Sequence, residues 1–144
     1  MIEISLKTLI DDYLKQVEVG IELFKDKIGD TRPLKAWREK MIPHQGKLSN
    51  QVEYQFHGIG CFLIFPDHEI NFDFGPEGRY DGFDLWRLGQ YIESCPEKYP
   101  EYQDKEKLKI DFEHAIEDGA IAKLDHPHCN LYYFTSAIDK RIIH

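Results

Sequence analysis

The sequence has no long apolar run. Its longest, residues 61–65, falls far short of the roughly 20 residues that a membrane-spanning helix requires. Its start lacks the basic patch, apolar stretch and small-residue cleavage site of a signal peptide; Glu3 and Lys7 already belong to an amphipathic pattern there, so a cytoplasmic location is expected. Cysteine is scarce. Cys61, Cys95 and Cys129 are too few and too scattered for a disulfide framework, their odd number fits reduced thiols, and no Cys-x-x-Cys pair exists. Basic residues are the other shortage, with 18 Lys and Arg against 26 Asp and Glu, a formal net charge of -8. Nonspecific nucleic-acid binding rests on counterion release by basic residues, so no direct nucleic-acid partner is expected.

The shortage is uneven. Residues 1–50 carry nine basic and eight acidic side chains, 51–100 carry three and nine, and 101–144 carry six and nine. The acidity is therefore concentrated in the middle of the chain. At 144 residues with 42% hydrophobic side chains, the sequence has the size and apolar content for one core and one domain spanning 1–144.

Leu6, Leu9, Ile10, Tyr13, Leu14, Val17, Ile21, Phe24 and Ile28 recur at three- and four-residue steps, which predicts a helix over 5–28 that Gly29 ends. A second, shorter helix is predicted from about Pro33, capped by Asp30 or Thr31, with Leu34, Trp37 and Met41 on one face and Pro43 stopping it. The period then changes from 3.6 to 2. Val52, Tyr54 and Phe56 mark a half-buried strand, residues 61–65 a more deeply buried one, and Ile70, Phe72 and Phe74 a third that alternates with Asn71 and Asp73. His57-Gly58-Ile59-Gly60 reads as a bulge or tight turn between strands, and the product is an antiparallel meander.

A glycine-rich loop leads into a further helix with Leu85, Leu88 and Ile92 inward and Trp86 beside them, Asp81 as N-cap and Asp84 in the first turn. Another helix follows Pro100 and runs to about Asp118, with Leu108, Phe112, Ala115 and Ile116 inward and Gly119 as C-cap. Residues 130–135 add a last strand, with a short one at 120–124 before it. The order predicts an α+β fold: a small antiparallel sheet, a meander of about three strands plus a C-terminal strand, with about four helices packed on it.

Four carboxylates fall within residues 73–84. Read as a calcium loop, Asp73, Glu77, Gly78, Asp81 and Asp84 stand at positions one, five, six, nine and twelve, but Gly75 at the third offers no side-chain oxygen and the twelfth is not Glu. A tight strand-to-helix connection explains the same letters. His57, Cys61, His126, His128 and Cys129 are zinc-type ligands and define the alternative function, a metal-dependent hydrolase that would also use Asp73. A buried structural Cys61 and a turn at His126-Pro127 account for them equally. Cys61 as a nucleophile is disfavoured because an apolar strand raises a thiol's pKa, and Gly58-Ile59-Gly60 lacks the third glycine and following helix of a phosphate loop. No catalytic residue and no cofactor is expected. Most of the aromatic residues, Tyr80, Phe83 and Trp86 beside the acidic loop among them, are expected in the core, and those that lie next to carboxylates at the surface would fit a protein-binding face.

The strings His57-Gly58-Ile59-Gly60-Cys61, Asn71-Phe72-Asp73-Phe74-Gly75 and Gly78-Arg79-Tyr80-Asp81-Gly82-Phe83-Asp84-Leu85-Trp86-Arg87-Leu88 resemble a small bacterial domain family of uncharacterised function. The likeness is most specific over residues 52–92. Asn71 stands where an acidic residue is more usual, which weakens any ligand role there. Such families are often encoded beside polymorphic or contact-dependent toxins, so the resemblance implies an immunity protein that covers a cognate toxin, a nuclease with a basic surface. The residues expected to meet it are Asp73, Glu77, Asp81 and Asp84, with Arg79, Tyr80 and Trp86 as anchors.

Overall fold

The computed structural model describes residues 2–29, 34–127 and 129–138, with the backbone alone at Leu34 and Glu77. The first helix, α1, spans Ile4–Ile28 and buries Leu6, Leu9, Ile10, Tyr13, Val17, Ile21 and Phe24, the stripe its sequence spacing dictates. It stops at Gly29, whose φ of 84° lies in the left-handed region and whose N–H bonds the Lys25 carbonyl at 2.7 Å. Helix α2 spans Leu34–Met41, with Trp37 and Met41 buried, and Pro43 sits in a 3-10 turn, Ile42–His44, that continues it. The expected caps Asp30 and Thr31 lie outside the described residues.

Three strands form an antiparallel meander in the order β1 (Glu53–His57), β2 (Gly60–Ile64), β3 (Glu69–Asp73). Gly58 and Ile59 make the two-residue turn between the first two, with Gly58 at φ 46°. The register places Phe56, Cys61 and Phe72 side by side, as it does Tyr54, Leu63 and Ile70. These line the core face, because alternate residues of a strand point to opposite sides. Helix α1 packs on that face so closely that a Cβ on Gly20 would lie 2.2 Å from Leu63 Cδ1. His57, Gly60 and Asp73, and Gln55, Phe62 and Asn71, share the opposite face.

Helix α3 spans Leu85–Ser94 and packs beside β3; helix α4 spans Lys105–Glu117. Leu88, Tyr91 and Ile92 are buried in the first, and Leu108, Phe112 and Ala115 in the second. Ile116 corrects its expected inward placement. It is 36% exposed, because one residue past Ala115 turns the side chain about 100° away from the core. Helix α4 closes in a Schellman arrangement: Gly119 has φ 74°, its N–H bonds the Ile116 carbonyl, and Ala120 N–H bonds that of Ala115. Strands β4 (Ile121–Lys123) and β5 (Tyr132–Phe134) pair with each other in a second, two-stranded sheet. The fold is α+β, with helices packed on a small antiparallel sheet. No helix among the described residues is long and apolar enough to cross a membrane.

Candidate functional site

The segment between β3 and α3 is held from three directions. Asp84, not Asp81, is the N-cap of α3: its Oδ1 accepts from Arg87 N–H at 2.8 Å, and Arg87 Nη1 donates to its Oδ2. This corrects the expected assignment, and the reason is local. Asp81 is committed to Arg79, which donates to both of its oxygens at 2.8 and 2.6 Å while lying 4.2 Å over the Tyr133 ring. The hydrogen bonds that Arg79 donates to Asp81 raise the arginine pKa above its ordinary value, with burial opposing. Asp73 is also paired, accepting from Arg87 Nη2 at 2.6 Å. One guanidinium thus bridges the end of β3 and the start of α3.

The C-terminal strand fixes the loop from the other side. Phe83 and Tyr132 exchange backbone hydrogen bonds at 2.9 and 2.7 Å. Tyr133 lies so close to Gly75 that a Cβ there would clash with the phenol oxygen, so a larger residue would have to displace that ring. Burial first, then the Cys129 thiol at 3.7 Å, pushes the Tyr133 pKa up. A cavity of about 420 Å³ lies here, lined by Asp73, Asp84, Arg87, His126 and Cys129 together with apolar side chains.

The expected residues divide accordingly. Asp73, Asp84 and Arg87 converge; Arg79 and Asp81 form a neighbouring pair; Tyr80 is half-buried against the core. The side chain of Glu77, and all of His128, lie outside the described residues. The zinc-type ligands separate: Cys61 is fully buried on the core face of β2, whereas His57 stands on the opposite face. Burial raises the Cys61 pKa strongly. His57 Nε2 meets Asn71 Oδ1 at 2.8 Å, and Asn71 Nδ2 donates to Gln90 Oε1 at 2.9 Å. Asn71 is therefore only 5% exposed instead of pointing to solvent as strand alternation predicts. Among the described residues no three His, Cys, Asp or Glu side chains gather as metal ligands, and between Asp73 and Asp84 the cationic position is filled by Arg87.

Two features escape the sequence patterns. Arg87 follows Asp84 by three residues, a spacing that signals a cap-linked ion pair, but its second partner is fourteen residues away. The other feature is the outer stripe of α3. Trp86 is 61% exposed and is the one exposed aromatic side chain of the chain's nineteen, all of them described. Trp86, Gly89, Gln90 and Glu93 recur at helical spacing along one groove of about 390 Å³ against α4. Gln90 and Glu93 also line a smaller hollow of about 200 Å³ with Phe62, Glu69, Asn71 and Ser94.

A family model described as a domain of unknown function, DUF6896, matches residues 6–134. The chain belongs to that family. No curated protein and no solved structure matches it. The DUF6896 match covers both arginine-bridged pairs, the α3 stripe and the C-terminal strand that braces the loop.

Proposed function

We propose that the protein is an immunity protein that binds and neutralises a basic, nucleic-acid-degrading toxin domain, with the outer stripe of α3 as the centre of its docking face. The observation that carries this reading is the exposure of Trp86. Eighteen other aromatic side chains are buried or half-buried, and an exposed Trp with a charged rim is the composition of an interface anchor.

Charge supports the same reading but from other residues than the loop suggests. Arg79 and Arg87 are each only 12% exposed and are engaged with the loop carboxylates. Of the charged side chains described in 51–100, those exposed are Glu53, Asp67, Glu69, Glu93, Glu97 and a single cation, Lys98. Glu69 lines the hollow that adjoins the stripe, while Glu93 on the stripe pairs with Lys105 of α4 at 2.6 Å, and Glu106 and Lys109 complete a mixed charged rim around Trp86. The net charge of -8 speeds encounter with a basic partner and repels the cell's own nucleic acid.

Co-expression with the toxin encoded in the adjacent reading frame tests the proposal. The two proteins are expected to copurify and growth to be restored. Trp86→Ala should weaken the complex by about 2 kcal/mol, roughly thirtyfold in Kd, with folding stability unchanged. Gly89→Arg should do the same by bulk and charge, since nothing lies within 4 Å of a Cβ at that position. A pair that neither copurifies nor restores growth ends the proposal.

A further inference from the structure

We infer that Arg87 is the positioning residue for the Trp86 anchor: its guanidinium, clamped between Asp73 and Asp84, fixes the indole in one orientation before any partner arrives. This rests on the docking reading above and deepens it by naming what pre-organises that face.

The guanidinium carbon of Arg87 lies 5.2 Å from the centre of the Trp86 ring, within cation–π range. Helical geometry alone does not supply that contact, since neighbouring residues on a helix point about 100° apart. The carboxylates supply it. Arg87 Nη2 donates to Asp73 at the end of β3 and Nη1 to Asp84, the cap residue ahead of α3, so the side chain reaches back towards the helix N-terminus. Long helical side chains slant in that same direction, which brings the indole to the guanidinium.

A cation steadies an exposed ring only if the cation is itself held. The Arg87 side chain is 12% exposed, both of its terminal nitrogens are engaged, and its Nε is closed to solvent. Asp73 is seated in turn: its Oδ1 packs over Gly60, closed to solvent, while Oδ2 faces the arginine. Support therefore passes from Gly60 through Asp73 and Arg87 to Trp86. Arg87 lines the cavity and Trp86 the groove beside it, so the cation holds the ring without filling the groove. A large aromatic side chain already fixed in its bound orientation loses less conformational entropy on docking, which is how a pre-organised anchor gains affinity.

The test is 15N relaxation of the two indole N–H groups in the full, free chain, with the signals assigned by Trp86→Phe. Trp37 is 1% exposed and Trp86 61%, so the buried ring is an internal control for the exposed one. In the parent both are expected to be rigid, with order parameters of about 0.8. Arg87→Ala should drop Trp86 below about 0.6 and leave Trp37 unchanged. The cap survives in that variant, because Asp84 accepts from the backbone N–H of residue 87. Asp73→Asn should cause a smaller fall and, since it acts through the arginine, add nothing in the double variant. A Trp86 indole that is mobile in the parent, one that is unchanged in either folded variant, or a fall shared equally by Trp37 overturns the inference. If Arg87→Ala does not fold, the parent and Asp73→Asn decide. The measurement needs no partner protein, so a mobile Trp86 leaves the copurification experiment standing, and failed copurification leaves the positioning of Trp86 measurable.

Discussion

Gly60 lies directly opposite Asp73 across the β2–β3 ladder, and a Cβ on Gly60 would stand 2.1 Å from the Asp73 Oδ1 oxygen and 2.4 Å from the Phe72 carbonyl oxygen. The second of these is backbone and has nowhere to go. Gly60→Ala is therefore expected to cost roughly 1–3 kcal/mol through forced displacement of β3. Gly89→Ala should have the opposite sign, a gain of about 0.5–1 kcal/mol, because Gly89 is helical with open space around it. Urea unfolding of the two variants beside the parent checks both signs.

Asp12 on α1 accepts hydrogen bonds from Tyr91 and Tyr99 and an ion pair from Lys98 at 2.9 Å. Burial by itself would raise its pKa; the hydrogen bonds from Tyr91, Tyr99 and Lys98 outweigh it and hold the carboxyl at about 2, against an ordinary 3.8. A carboxyl with a depressed folded-state pKa adds stability that is complete above the unfolded pKa and disappears as pH falls through the folded one. Between about pH 5 and pH 2 the parent should lose about 1 kcal/mol more than Asp12→Asn, allowing for solvent screening. Parallel stability–pH curves for the two proteins would contradict this.

The cap of α3 can be separated from its ion pair. Asp84→Ala removes both the acceptor for Arg87 N–H and one of the guanidinium's two carboxylate partners, whereas Asp84→Ser keeps a capping oxygen but cannot reach the guanidinium. The serine variant should be more stable than the alanine one by about 1 kcal/mol. Hydrogen exchange at the Arg87 amide should slow in the same order, and equal exchange in both would show that Asp84 is not the cap.

The three thiols should differ in reactivity. Cys61 is fully buried and its pKa is pushed up by that burial, while Cys95 and Cys129 are partly exposed. Brief alkylation of the folded protein followed by mass spectrometry should leave Cys61 unmodified and label it only after denaturation. Labelling of Cys61 at the rate of Cys129 in native buffer would refute its placement.

Elements defined by local periodicity are legible in the sequence. The buried stripe of α1, the alternation of Tyr54 and Phe56, and the tight turn at Gly58-Ile59 all follow from residues within a few positions of one another. What fails is choice among equivalent local options. Asp81 and Asp84 are both good caps for α3; Arg79, two residues before Asp81, takes the first and leaves the second. Asn71 reads as a solvent-facing strand residue until His57 and Gln90, fourteen and nineteen residues away, are seen to enclose it. The last strand is visible in its aromatic run, but its pairing with β4 depends on contacts that no short window contains. The acidic segment is legible as composition. Which of its carboxylates face solvent is not, because that depends on where two arginines fold back.

The bracing of the Gly75 loop by Tyr132 and Tyr133 also sets an order of events in synthesis. The meander and the helices that cover it all precede residue 132 in the chain, so the loop's backbone partner and the aromatic ring beside Arg79 are made after them. A nascent chain can thus collapse around its core while the Gly75 loop still lacks its brace.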